Sequence, residues 1–287
     1  MTPAIWGLLS AACWGGADFI GGLASRAIGH RSVLFAMLAT GAVVLGVAIW
    51  LGELPLVLHP GGLWLVAISG VGVMVATLWL YQALSLGPIA VAAPIVGTYP
   101  AFNVAFAVIL GARPSLAAWA AMAAVLCGVV LVARSANAVT DSSRVSPAHL
   151  RRTVVISLAS SLGFAVTVAA AQEAALIYGD LQTVWLGRCV GVLACGALFL
   201  MRRERPRLHR RWWLYLVLIG LMDGGAYLAL LAGSEGPLVT IAVVISSAFG
   251  AVTILLARVF LRETIGGIQW LGIAAILAGV MVLSSGR

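Results

Sequence analysis

Four ionisable side chains stand inside long apolar runs: Asp18, Glu173, Arg188 and Asp223. An ionisable group at mid-bilayer costs roughly 2.5–3.5 kcal/mol on insertion scales, so each must face a cavity or a partner. A carboxylate in such a place binds a substrate ammonium or carries a coupling proton, and Asp18 and Asp223 are the candidates for proton coupling. Asp18 follows Trp14-Gly15-Gly16, and Asp223 precedes Gly224-Gly225 and Tyr227. Glu173 and Arg188 fall near the same ends of successive apolar segments. They make either a mutual ion pair near the membrane surface or a gating or substrate contact.

A second group is polar but uncharged. The segment PIAVAAPIVGTYPAFNVAF (88–106) holds Pro94 and Pro100. Each proline removes a backbone N–H and frees a carbonyl, which kinks a helix and suits a wall facing a cavity rather than lipid. Tyr99 and Asn103 lie four apart, on one helical face beside the kink. Tyr81-Gln82 and Ser246-Ser247 sit in other apolar segments. With Trp14 and Tyr227 as aromatic walls, the candidate substrate-binding set is Trp14, Tyr81, Gln82, Tyr99, Asn103, Asp223, Tyr227 and Ser246. Helix–helix hydrogen bonding is the plainer alternative for the polar members.

Other chemistries are excluded. The chain has 17 basic residues, every one of them Arg. Without Lys there is no Walker A phosphate loop and no Schiff base. The four His have no HExxH spacing, and the four Cys form no CxxC. No metal, cofactor or enzymatic activity is expected.

The elements that position these residues are set by composition. The chain is 287 residues long, 62% hydrophobic and 9% charged, with mean hydropathy +1.10. A soluble chain carries about 25% charged residues, so a soluble globule and a disordered chain are both excluded. An integral membrane protein remains, with about 20 residues per crossing. Hydropathy predicts ten helices: 3–24, 32–52, 62–84, 88–110, 115–134, 153–178, 182–201, 212–233, 237–261 and 267–284. The first is read as retained, because no basic n-region precedes it.

The polar stretch 135–152 divides the chain into 1–134 and 153–287. The two parts match in order: Ser10 and Gly16 with Ser157 and Gly163, Gly41 and Gly46 with Gly191 and Gly196, Gly70 with Gly220. Gly87-Pro88 matches Gly236-Pro237, and Trp119 and Gly128 match Trp270 and Gly279. Five spans per copy is an odd number, so the copies enter the membrane in opposite senses. The expected fold class is all-α integral membrane, with ten transmembrane helices as two five-helix inverted-topology repeats. Such repeats are typical of secondary transporters with a mid-membrane site.

Fourteen Arg lie on one side of this topology, including the run RRERPRLHRR from Arg202 to Arg211. The positive-inside rule makes that side cytoplasmic, with 135–152 a cytoplasmic linker and both termini periplasmic. The basic run 202–211 sets topology or binds anionic lipid, and no nucleic-acid partner is expected. Most of the other Trp residues fall near predicted helix ends, as an interfacial belt.

The chain resembles the drug/metabolite transporter superfamily in its EamA branch. The resemblance rests on Leu86-Gly87-Pro88, on Ala93-Pro94 with Pro100, and on LGARPSLAAWAAMAAVLCGVVL (110–131) and FLRETIGGIQWLGIAAILAGVMVL (260–283). The chain departs from the family pattern in three places. Glu263 ends the ninth helix, but Ala112-Arg113 replaces its counterpart in the fourth. The proline pair has no counterpart in the ninth helix, where Val243 and Phe249 stand. The basic loop lies between helices seven and eight rather than two and three. The resemblance implies export of small metabolites, most often amino acids, aromatic or neutral, by alternating access. The alternative is proton-coupled efflux of lipophilic cations. The expected partners are a small-molecule substrate and the lipid bilayer of a bacterial inner membrane, with the protein a monomer.

Overall fold

The computed structural model describes residues 2–57, 59–139, 147–233 and 239–285. Regular structure among them is helical: α1 (Pro3–Ile28), α2 (His30–Leu51), a 3-10 turn (Pro60–Gly62), α3 (Leu63–Leu86), α4 (Ile89–Val96) and α5 (Tyr99–Ile109). There follow α6 (Leu116–Val139), α7 (Pro147–Tyr178), α8 (Asp180–Met201), α9 (Trp213–Gly233), α10 (Val239–Ser246), α11 (Phe249–Phe260) and α12 (Gly267–Ser285). In lipid each amide and carbonyl needs an internal partner, and a helix supplies one within its own segment. Among the described residues, nine helical stretches are long and apolar enough to cross a membrane, with α4–α5 and α10–α11 each forming one. The chain is a multi-pass membrane protein. α1 is not among the nine, although its 26 residues reach about 39 Å. Pro3, Trp6, Trp14 and Asp18 dilute its apolar residues.

Three helix ends extend four or more residues beyond what hydropathy predicts. α1 runs to Ile28 rather than 24. α6 continues through Val139, and α7 starts with Pro147 at its first position, where the missing N–H costs nothing. Much of the expected linker 135–152 is therefore helical, while 140–146 lies outside the described residues. So do Glu235 and the Gly236-Pro237 pair.

The backbone repeats itself. Positive φ angles come in pairs: Gly29 (+89°) with Gly179 (+76°), Glu53 (+50°) with Arg203 (+53°), Gly111 (+96°) with Arg262 (+54°). The partners are 150, 150 and 151 residues apart. The helix breaks repeat as well. Gly97 and Thr98 donate to Ala93 and Ile95 between α4 and α5, and Ser247 and Ala248 donate to Val243 and Ile245 between α10 and α11. The second break forms although the ninth helix has no counterpart of the proline pair. The Ser246 and Ser247 hydroxyls donate to the carbonyls of Val243 and Val244 at 2.9 and 2.6 Å. These local bonds compete with the helical ladder and permit a break without proline.

Small residues let the repeats interlock. A Cβ on Gly70 would lie 2.8 Å from the Gly187 carbonyl oxygen, and one on Gly220 would lie 3.0 Å from that of Met37. These are the same contact, repeated about 150 residues on. α3, α4 and α5 pack on α7, and α9, α10 and α11 pack on α1. Each group thus joins the first helix of one repeat to the third and fourth segments of the other. α6 packs along α12, and α2 and α8 lie between the two groups.

Polar contacts sort the helix ends into two faces. At one, Arg26 donates to the Leu84 and Gly87 carbonyls, Arg31 meets Glu204, and Arg207 N–H donates to Ser32 Oγ. This is the arginine-rich face. At the other, Gln182 bonds both the amide and the carbonyl of Val57, and the Tyr178 hydroxyl donates to the His59 carbonyl. The Ser32–Arg207 and Gln182–Val57 contacts are repeat equivalents on opposite faces.

Candidate functional site

One cavity of about 980 Å³ runs into the middle of the helices. Its wall is built from stripes at helical spacing: Trp14 and Asp18 on α1; Ser69, Val73, Thr77 and Tyr81 on α3; Tyr99, Asn103 and Ala107 on α5. α8 contributes Asp180, Thr183, Val184, Gly187 and Arg188, and α9 contributes Asp223, Tyr227 and Leu231. Steps of three and four residues keep one face of each helix on the cavity. The mouth is marked by Leu110 (87% exposed), Glu173 and Asp180, on the face opposite the arginine-rich one. The floor is marked by Tyr81 (1% exposed), which packs over Gly21.

An ion pair sits on this wall. Arg188 Nη2 lies 2.7 Å from Asp223 Oδ2, and each residue is 8% exposed. The two atoms are close without hydrogen-bond alignment, and Arg188 Nε has no hydrogen-bond partner among the described residues. The Trp14 indole contacts the same carboxylate. Gly41 of α2 leaves room beside it: an added Cβ would be 3.5 Å from Asp223 Oδ2. Asp18 is the neighbouring carboxylate, next to Tyr81. The aromatic rings are braced in pairs. Trp14 meets Phe249 edge-on at 6.3 Å, and Tyr99 meets Phe164 at 6.4 Å.

The expected ion pair between Glu173 and Arg188 is not the one formed. Glu173 is exposed at the mouth, five residues before the end of α7. Arg188 is eight residues into α8, about 12 Å deep at 1.5 Å per residue. At that depth it meets Asp223, at the midpoint of α9. Of the expected site residues, the cavity brings together Trp14, Asp18, Tyr81, Tyr99, Pro100, Asn103, Glu173, Arg188, Asp223 and Tyr227. It does not reach Gln82, Pro94 or Ser246. Ser246 is buried and its hydroxyl serves its own helix. Pro94 lies within α4, every residue of which is buried. Sequence reasoning missed Ser69, Thr77, Asp180 and Thr183. Their signal was present: Ser69-Thr77-Tyr81 and Asp180-Thr183-Arg188 each fall on one helical face.

Arg188, Asp223 and Asp18 can together hold a molecule carrying a carboxylate and an ammonium, and the aromatic rings can hold an apolar side chain. One solved crystal structure is similar over 98% of this chain and 96% of its own, with TM-score 0.66 and 20% identity, which establishes the fold alone. No curated protein matches the chain. The model of the EamA-like transporter family matches residues 1–134 and 151–285, the two halves related by the repeated backbone, and the chain belongs to that family.

Proposed function

We propose that this chain exports small zwitterionic metabolites, amino acids with aromatic or neutral side chains, by alternating access to the central cavity. The observation that carries this reading is the Arg188–Asp223 pair on the cavity wall. Arg188 offers its free Nε to a substrate carboxylate. Asp223 or Asp18 takes the ammonium, and Trp14, Tyr99 and Phe164 take the side chain. The chain crosses the membrane ten times as two inverted five-span repeats, α1 included. Repeat-equivalent contacts on opposite faces support this. The arginine-rich face is cytoplasmic and the termini periplasmic, in a bacterial inner membrane. The cavity is then open to the periplasm. A monomer suffices, since one chain encloses the cavity. Asp18 is the group placed to exchange a proton, because Asp223 is already paired.

A second reading, efflux of lipophilic cations, is favoured by the charge count. Asp18, Glu173, Asp180 and Asp223 line the cavity against one Arg. Equilibrium binding of labelled phenylalanine to purified protein decides between them. Competition by neutral amino acids but not by phenethylamine or tetraphenylphosphonium supports the zwitterion. Binding of the two cations alone sinks it.

A further inference from the structure

The repeats are symmetric in backbone but not in the side chains that close their ends. At the arginine-rich end, Glu263 Oε1 and Oε2 accept from the Ile89 and Ala90 amides, both at 2.9 Å. These are the first two amides of α4, which no helical carbonyl can satisfy. Arg26 takes the Leu84 carbonyl at 3.0 Å and the Gly87 carbonyl at 3.0 Å. Arg31 Nη1 meets Glu204 Oε2 at 2.6 Å. The α3–α4 turn is therefore held from α1 and from the segment after α11, both in the opposite helix group.

The residues 150 or 151 positions away are Leu176 for Arg26, Leu181 for Arg31, Leu54 for Glu204 and Ala112 for Glu263. All four polar groups have apolar counterparts. The Ser32–Arg207 contact, by contrast, keeps a polar equivalent in Gln182–Val57. The packing differs in the same sense. α11 packs against α4 at the locked end, whereas their equivalents α5 and α10 make no comparable contact and line the cavity mouth with Ala107, Leu110 and Val243.

Exchanging the two repeats describes the opposite state: α5 closes on α10, and α4 parts from α11. We propose that Glu263 and Arg26 form a one-sided polar lock that holds the resting transporter shut at the arginine-rich end. This rests on the alternating-access reading above. The state open at the arginine-rich end gains no equivalent bonds, because Ala112 offers no carboxylate to the first amides of α10. Charge-assisted hydrogen bonds are the strong ones, so the resting equilibrium lies toward the lock.

Spin labels at Ser85 and Thr264 straddle the locked end, and their distance is measured in lipid nanodiscs without substrate. The unsubstituted lock gives one short distance. Glu263→Gln adds a longer one, with the open fraction raised about tenfold. Ala112→Glu adds the same longer distance while leaving every contact of the lock intact, so it tests the lock even where Glu263→Gln fails to fold. Unchanged short distances in both folded variants overturn the proposal. Transport in the same preparations separates this from the substrate assignment. Shifted distances without transport keep the lock and remove the substrate assignment. Transport with unshifted distances does the reverse.

Discussion

Replacing Arg188 with Met isolates what the buried ion pair does. Arg188 and Asp223 are each 8% exposed and 2.7 Å apart. Removing one partner leaves a buried charge without compensation, which costs about 3–5 kcal/mol. At about 2–4 °C per kcal/mol for a chain of this size, the midpoint of thermal unfolding falls by about 10 °C. The double variant Arg188→Met/Asp223→Leu removes both charges and fills the space with apolar atoms. Such replacements are often neutral or stabilising, so the double variant recovers most of the lost midpoint. It does not recover transport, because the carboxylate and ammonium contacts are both gone. The assays are thermal unfolding of the purified protein and uptake of labelled phenylalanine into vesicles. An Arg188→Met variant that melts with the wild type refutes the stability argument. A double variant that still transports refutes the binding role.

Other outcomes follow from particular residues. Gly128→Leu brings a Cβ 2.6 Å from the Gly272 carbonyl oxygen, a backbone atom that cannot rotate away. Thermal unfolding then shows a loss of about 1–3 kcal/mol, while Gly196→Leu, with nothing within 4 Å of the added Cβ, shows little. Gly29→Ala, at φ +89° and ψ +136° with open space around it, costs about 1–3 kcal/mol from a backbone conformation that side chains rarely adopt, measured the same way. The hydrogen bond from Arg31 holds the exposed Glu204 carboxyl below its ordinary pKa of 4.5. A depressed folded-state pKa stabilises above the unfolded value and loses that contribution as pH falls through the folded one. The difference in midpoint between wild type and Glu204→Gln therefore shrinks as pH drops below about 4.5, and a difference that grows contradicts the pairing.

Much of the architecture was legible because it rests on local rules. Apolar runs of membrane length and the order of matched Gly residues need no knowledge of distant contacts. The cavity stripes were half legible. Trp14 with Asp18 and Tyr99 with Asn103 stand out because aromatic and charged residues are rare in such helices, whereas Ser69, Thr77 and Thr183 pass as packing residues unless spacing is counted. The partner of Arg188 was not legible. Sequence proximity favoured Glu173, but depth along α8 decides, and that depth depends on where Gly179 turns the chain. The break between α10 and α11 was also hidden, since serine hydroxyls do there what Pro100 helps to do between α4 and α5. The apolar counterparts of the lock were visible residue by residue. Their meaning needed the structure, which shows that one end is closed and the other open.

Counterflow in proteoliposomes tests the central claim most directly. Vesicles holding purified protein are loaded with unlabelled phenylalanine, diluted into trace labelled phenylalanine, and followed without any ion gradient. An alternating-access carrier for zwitterions accumulates the label transiently above its equilibrium level, and neutral amino acids compete. A label that only equilibrates passively, in vesicles where the protein is folded, contradicts the account.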